Sequence, residues 1–181
     1  MTRASSLVTA MAAAIALYAS PHAAAQAPVD VARAADPSRS ADAAFLAKAR
    51  ESAAADVELA TLAAARATKP ATKTFAKVVL DANGALVREL EAMAGTRQIA
   101  NVPRAEAPSK VVAMMRAQPR ATFDTAFITA MIAGRTAAVA LFEAESRDGR
   151  DDEVKEWAAR QLPALRDHLA AARALRPRPS S

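Results

Sequence analysis

An all-α protein, with four long helices arranged as two hairpins, is the fold this sequence predicts. Three observations carry that prediction. The apolar residues make up 52% of the chain but are mostly alanine, with one Trp, one Tyr and five Phe among 181 residues, so the composition favours helices packed through small side chains. Long β-branched runs of period two are missing. Helical patterning recurs in four long stretches, separated by proline, glycine and short polar breaks.

The elements follow in order. Residues 1–25 read as a signal peptide: Arg3 supplies positive charge, Leu7 to Tyr18 an apolar stretch, and Ala23 to Ala25 the small residues of a cleavage site before Gln26. The apolar stretch is shorter than the ~20 residues of a spanning helix, so an uncleaved anchor is the weaker reading. Cleavage would remove only Arg3 among charged residues and lower the formal net charge from +5 to +4. The mature chain is then expected in the periplasm, with outer-membrane association an option and no further transmembrane span. Absence of cysteine excludes disulfides, thiolate metal sites, a cysteine nucleophile and a lipidated N-terminal cysteine.

Residues 26–40 are polar and proline-containing and read as a flexible leader. Ser40 or Asp42 is expected to cap a helix over 42–67, which Thr68-Lys69-Pro70 breaks. A second helix is expected over 71–94, with Gly95 as its C-cap. A loop over 96–107 leads to a short helix, Ser109 to Ala117, opened by Pro108 and ended by Pro119. Thr122 or Asp124 should start the next long helix, to about Ser146. Asp148-Gly149-Arg150 makes the turn, and acids at 151–153 favour the start of a last helix ending near Leu175. The domain therefore covers 41–175, and the basic residues 176–181 form a disordered tail.

An internal echo supports two hairpins. Asp42-Ala43-Ala44-Phe45-Leu46 recurs as Asp124-Thr125-Ala126-Phe127-Ile128, 82 residues later, and Lys73-Thr74-Phe75-Ala76 recurs at the same offset as Lys155-Glu156-Trp157-Ala158. A duplicated hairpin explains both matches; chance similarity of alanine-rich helix starts is the alternative.

The runs DAAFLAKARESAAADVELATLA, FAKVVLDANGAL, FDTAFITAMIAGRTAAVALFE and WAARQLPALRDHLAAA resemble a bacterial family of exported proteins of unknown function. Members are often labelled predicted outer-membrane proteins. The resemblance spans roughly 41–175, and Leu162 to His168 is its most specific segment. It implies a ferritin-like four-helix domain with no established activity. It also implies an Asp-His pair in the second helix and a His in the third long helix. This sequence keeps Asp81 but has Ala82 next to it, and Arg135 stands where the other His is expected; Glu58 and His168 remain.

The same positions stand out from helical spacing alone. Residues three and four apart share a helix face. Arg135 is flanked at those spacings by Met131, Ile132, Ala138 and Val139, His168 by Ala164, Leu165, Ala171 and Ala172, and Glu58 by Ala54, Ala55, Thr61 and Leu62. At about 1.5 Å per residue, Glu58 and residue 82 lie roughly 15 and 18 Å from the first turn, and Arg135 and His168 roughly 21 and 26 Å from the second. In a bundle roughly 37 Å tall, these positions share one layer only if the two turns sit at opposite ends. That requires a lengthwise crossover carrying the short helix, the ferritin-like arrangement. The expectation is a buried Glu58–Arg135 ion pair with His168 nearby; surface snorkelling of Arg135 is the bland alternative.

The chemistry is read mostly as exclusions. A di-iron carboxylate site needs Glu-x-x-His motifs, none of which occurs, and His168 is the mature chain's only histidine. No catalytic, cofactor-binding or metal residues are therefore assigned, and no cofactor is expected. No phosphate-binding glycine loop is present, and basic residues interleave with acids, against nucleic-acid binding. The short helix carries Val111, Val112, Met114 and Met115, which either meet a partner or cover the bundle. Two functional classes remain: a non-catalytic envelope protein acting through a partner, or a degenerate ferritin-like protein handling metal or oxidant. Oligomeric state is not written in the sequence.

Overall fold

Five helices follow one another in the computed structural model, which describes residues 37–97 and 109–176; these lie in one unit, Ala35–Ser181. They are α1 (Pro37–Arg66), α2 (Pro70–Thr96), α3 (Lys110–Arg116), α4 (Arg120–Asp148) and α5 (Asp152–Ala174). The described residues contain no strand. The expected signal peptide, most of the leader and the tail beyond Arg176 lie outside the described residues.

Helix starts differ from the expectation in an informative way. α1 begins at Pro37, so the last residues assigned to the leader are helical; proline suits the first turn, where its missing N–H has no partner to lose. α2 likewise begins on Pro70. Gly95 is inside α2 rather than capping it. The cap is Arg97, whose φ of −93° needs no glycine and whose N–H donates to the Gly95 carbonyl. Ser109 caps α3 by accepting from Val112 N, and Asp151 caps α5 by accepting from the N–H groups of Glu153 and Val154 at 3.1 Å.

Asp42 and Asp124 do not cap their own helices, which start earlier. Each caps the turn of the other hairpin. Asp124 accepts from Thr68 N at 2.9 Å and Lys69 N at 3.0 Å, at the entry to α2. Asp42 accepts from Arg150 N at 3.0 Å and Asp151 N at 2.9 Å, at the entry to α5. Donors and acceptors are both displaced by 82 residues, so the repeat seen in sequence is a repeat in space.

Further pairs obey the same offset. Ala67 N donates to Ala63 O at 2.9 Å, and Gly149 N to Glu145 O at 2.9 Å. Phe45 meets Trp157 edge-on at 6.3 Å and 67°, and Phe75 meets Phe127 at 6.3 Å and 61°. Exchanging the halves turns the first aromatic pair into the second.

These contacts settle the topology. Asp124 beside the first turn and Asp42 beside the second place α4 antiparallel to α1, with the turns at opposite ends. Arg97, closing α2, binds Asp151 at 2.7 and 2.9 Å, at the second-turn end. α3 sits at the first-turn end, where Arg66 donates to the carbonyls of Met115, Arg116 and Gln118. The end of α2 and the start of α3 therefore lie at opposite ends of the described helices.

The core has two apolar halves. Leu59, Ala63, Phe75, Val79, Phe123, Phe127 and Met131 fill the first-turn end; Phe45, Leu46, Leu90, Phe142, Trp157 and Leu162 fill the other. α4 is long and apolar enough to cross a membrane, yet its large side chains Phe123, Phe127, Met131 and Phe142 are buried against the other helices. That is the position of a core helix.

Candidate functional site

Between the two apolar halves lies a polar layer. Each long helix reaches it at one level: α1 at Asp56, α2 at Asn83, α4 at Arg135 and α5 near His168. Asp56, Asn83 and Arg135 are 5%, 1% and 1% exposed, and Arg135 is the largest fully buried side chain in the described residues.

Arg135 Nη1 donates to Asn83 Oδ1 at 3.3 Å, and its Nη2 lies 3.4 Å from Asp56 Oδ2. Asn83 Nδ2 in turn donates to the Val79 carbonyl at 2.9 Å, which fixes the amide so that its oxygen faces the guanidinium. Arg135 Nε and Nη2 have no hydrogen-bond acceptor. Beside them is a cavity that gives the centre of a water molecule about 10 Å³, roughly enough for one. It is lined by Ser52, Leu86, Leu141, Phe142 and Leu165 along with the polar trio. The space suits hydration of an ion pair rather than an organic substrate.

Burial pushes the Asp56 carboxyl up and the Arg135 guanidinium down, and each charge opposes the shift of the other. An ion pair in such surroundings is kept because removing either member strands the other. His168 is half-buried. Desolvation lowers its pKa, the positive charge of Arg135 lowers it further, and Asp167 acts in the opposite sense.

The expected Glu58–Arg135 pair is replaced by Asp56–Arg135. Glu58 is part-exposed and lies 3.2 Å from Arg116 of α3. Two residues along a helix turn the side chain by about 200°, so positions 56 and 58 face nearly opposite ways. Alanine concealed the choice: Glu58 has Ala54 and Ala55 at helical spacing, and Asp56 has Ala53 and Ala60. Only the second pair is buried against the core; Ala54 is exposed. Asn83 carried a clearer signal, with Val79, Leu80, Leu86 and Val87 at its neighbouring helical positions. Arg135 is inside, and His168 is within electrostatic reach of it.

The layer also breaks the repeat. The 82-residue counterparts of Asp56, Asn83 and Arg135 are Ala138, Leu165 and Ala53. All three are in the lining of the same cavity. The first hairpin supplies the carboxylate and the amide, the second supplies the guanidinium, and each faces an apolar equivalent. Among the described residues, no group of three or more His, Asp or Glu side chains is arranged to hold a metal ion.

Comparison with known proteins gives two findings. A solved structure, the crystal structure of a DUF305 fragment from Deinococcus radiodurans, superposes with a TM-score of 0.65 at 19% identity, covering 75% of this chain and 94% of that one. At that identity the likeness concerns the fold alone. None of the curated proteins matches. The model of a family described as a domain of unknown function, DUF4142, matches residues 26–175, and the chain belongs to that family.

Proposed function

We propose that this chain is an exported, non-catalytic envelope protein that works by binding a partner, on a ferritin-like four-helix bundle with a lengthwise crossover. The observation that carries the reading is Arg135. A buried guanidinium, neutralised by Asp56 and bound to Asn83, occupies the mid-bundle layer in which a ferritin-like protein would gather metal ligands. A cation entering that layer meets a fixed positive charge, and the adjoining space is of water size. Among the described residues, no hydroxyl is hydrogen-bonded to His168.

Export rests on the N-terminal sequence alone. N-terminal sequencing of protein recovered from the periplasmic fraction tests it: a chain starting at Gln26 is expected, and a cytoplasmic chain starting at Met1 would defeat it. Elemental analysis of the same material tests the rest. Iron, manganese or zinc at one equivalent, lost on Asp56→Ala or His168→Ala, would favour metal handling over partner binding. Crosslinking in intact envelopes should then capture one dominant adduct, whose yield falls with substitution on the exposed Val111 and Met114 of α3.

A further inference from the structure

At the second turn, two carboxyl groups meet inside the protein. Asp42 of α1 and Glu145 of α4 are 4% and 8% exposed. Both oxygens of Asp42 accept turn N–H groups, from Arg150 and Asp151. The Glu145 side chain is folded under Gly149, where a Cβ would lie 2.9 Å from Oε1. The Asp42 carboxyl acts on it at this same turn, and Oε1 is buried without a hydrogen-bond partner.

Two ionised carboxylates cannot hydrogen-bond to one another, because neither has a donor. The surrounding charges do not relieve the pair. Arg97, at the end of α2, is engaged by Asp151 and Glu153 of the α5 entry. Arg150 offers Asp42 its backbone N–H. Arg147, Asp148 and Asp152 are exposed at the rim. Among the described residues no Lys or Arg forms an ion pair with Asp42 or Glu145.

We propose that Asp42 and Glu145 form a one-proton site that ties the end of α4 to α1 and makes the second turn, unlike the first, responsive to pH on the approach to neutrality. Glu145 holds the proton and donates it to Asp42; Asp42 keeps both oxygens on the turn. Burial, the contact with Asp42 and the negative charge of Asp151 push Glu145 up to about 7. The folded state therefore holds this proton more tightly than the unfolded chain. The resulting stability is full below the ordinary glutamate range and lost as pH rises to about 7. The first turn has no such device: the counterpart of Glu145 is Ala63.

Carbon-detected NMR of the Glu145 carboxyl in the mature protein tests this, together with amide exchange at both turns. The expected titration midpoint is near 7. Between the ordinary glutamate range and that midpoint, exchange at Gly149, Arg150 and Asp151 should accelerate beyond the tenfold per pH unit of base catalysis, while Thr68 and Lys69 follow base catalysis alone. Glu145→Gln keeps an N–H donor toward Asp42 and should abolish the extra acceleration. A midpoint near 4.5, or equal acceleration at both turns, would overturn the proposal. So would micromolar calcium or manganese binding at pH 8 that shifts the Asp42 and Glu145 signals, since the site would then hold a cation. Should Glu145→Gln fail to fold, the titration of the unaltered protein decides by itself.

Discussion

The two hairpins share one plan and differ where charge is buried. At one end, Asp124 stands alone against the first turn and takes three hydrogen bonds from Thr68 and Lys69. At the other end, Asp42 makes the two equivalent backbone bonds but shares its surroundings with Glu145. Burial alone would raise the Asp124 carboxyl; its hydrogen bonds, including those from the Thr68 and Thr72 side chains, outweigh burial and lower it to about 2. Glu145 moves the opposite way. The same backbone frame thus stores charge at one end and rejects it at the other. The difference teaches that a repeat can preserve a turn while changing how that turn responds to protons.

The largest effect is expected in the middle, where the halves are least alike. Arg135→Ala should cost about 3–5 kcal/mol, because Asp56 is left buried without its partner. Pairing Arg135→Met with Asp56→Ala should recover most of that loss, since both charges leave together. Denaturant unfolding of the single and double variants decides this; a single variant within about 1 kcal/mol of the parent would mean that the ion pair is not desolvated.

Next in size are the turn caps. Asp124→Ala should cost about 2–3 kcal/mol at pH 7, as charged acceptors are worth more than neutral ones. Its contribution is present above the ordinary aspartate value of 3.8 and lost as pH falls to about 2, so the variant should flatten the acid side of a stability–pH profile. Asp42→Ala at pH 8 should cost clearly less than Asp124→Ala, because it also removes the repulsion on Glu145. Equal costs would erase the distinction between the ends.

A smaller effect is expected at Gly149. Its counterpart is Ala67, so the frame accepts a Cβ at the first turn. At the second, a Cβ would fall 2.6 Å from the Glu145 carbonyl oxygen. Gly149→Ala should therefore cost about 1–2 kcal/mol, read as a lowered thermal midpoint. The smallest effect belongs to Trp157→Phe, which makes the residue match its counterpart Phe75. It gives up the 2.8 Å bond from Nε1 to Glu89 and should cost about 1 kcal/mol.

How much was legible depended on whether the relevant information was local. Helix interiors and breaks at Thr68-Lys69-Pro70 and Asp148-Gly149-Arg150 were readable, because periodicity and turn chemistry act over a few residues. Asp42 and Asp124 are among the candidate caps of their own helices in sequence, but the groups they cap lie across the bundle, and nothing in their own neighbourhoods points there. Arg135 stands out because Met131, Ile132 and Val139 flank it at helical spacing, with Ala138 beside them. Asp56 was missed because its neighbours include alanines like those of Glu58, and alanine is equally at home exposed or buried.

By itself, the sequence determined the helical class, and it pointed to two hairpins, an 82-residue repeat and an inward-facing Arg135. Those follow from backbone propensity and from the spacing of side chains along a single helix. Tertiary structure decided which carboxylate meets Arg135, that each capping aspartate serves the other hairpin, and that Asp42 and Glu145 must divide one proton between them. Each of these depends on the rotation of one helix against another, which a change of about 100° per residue makes undecidable wherever both candidate faces are built of alanine.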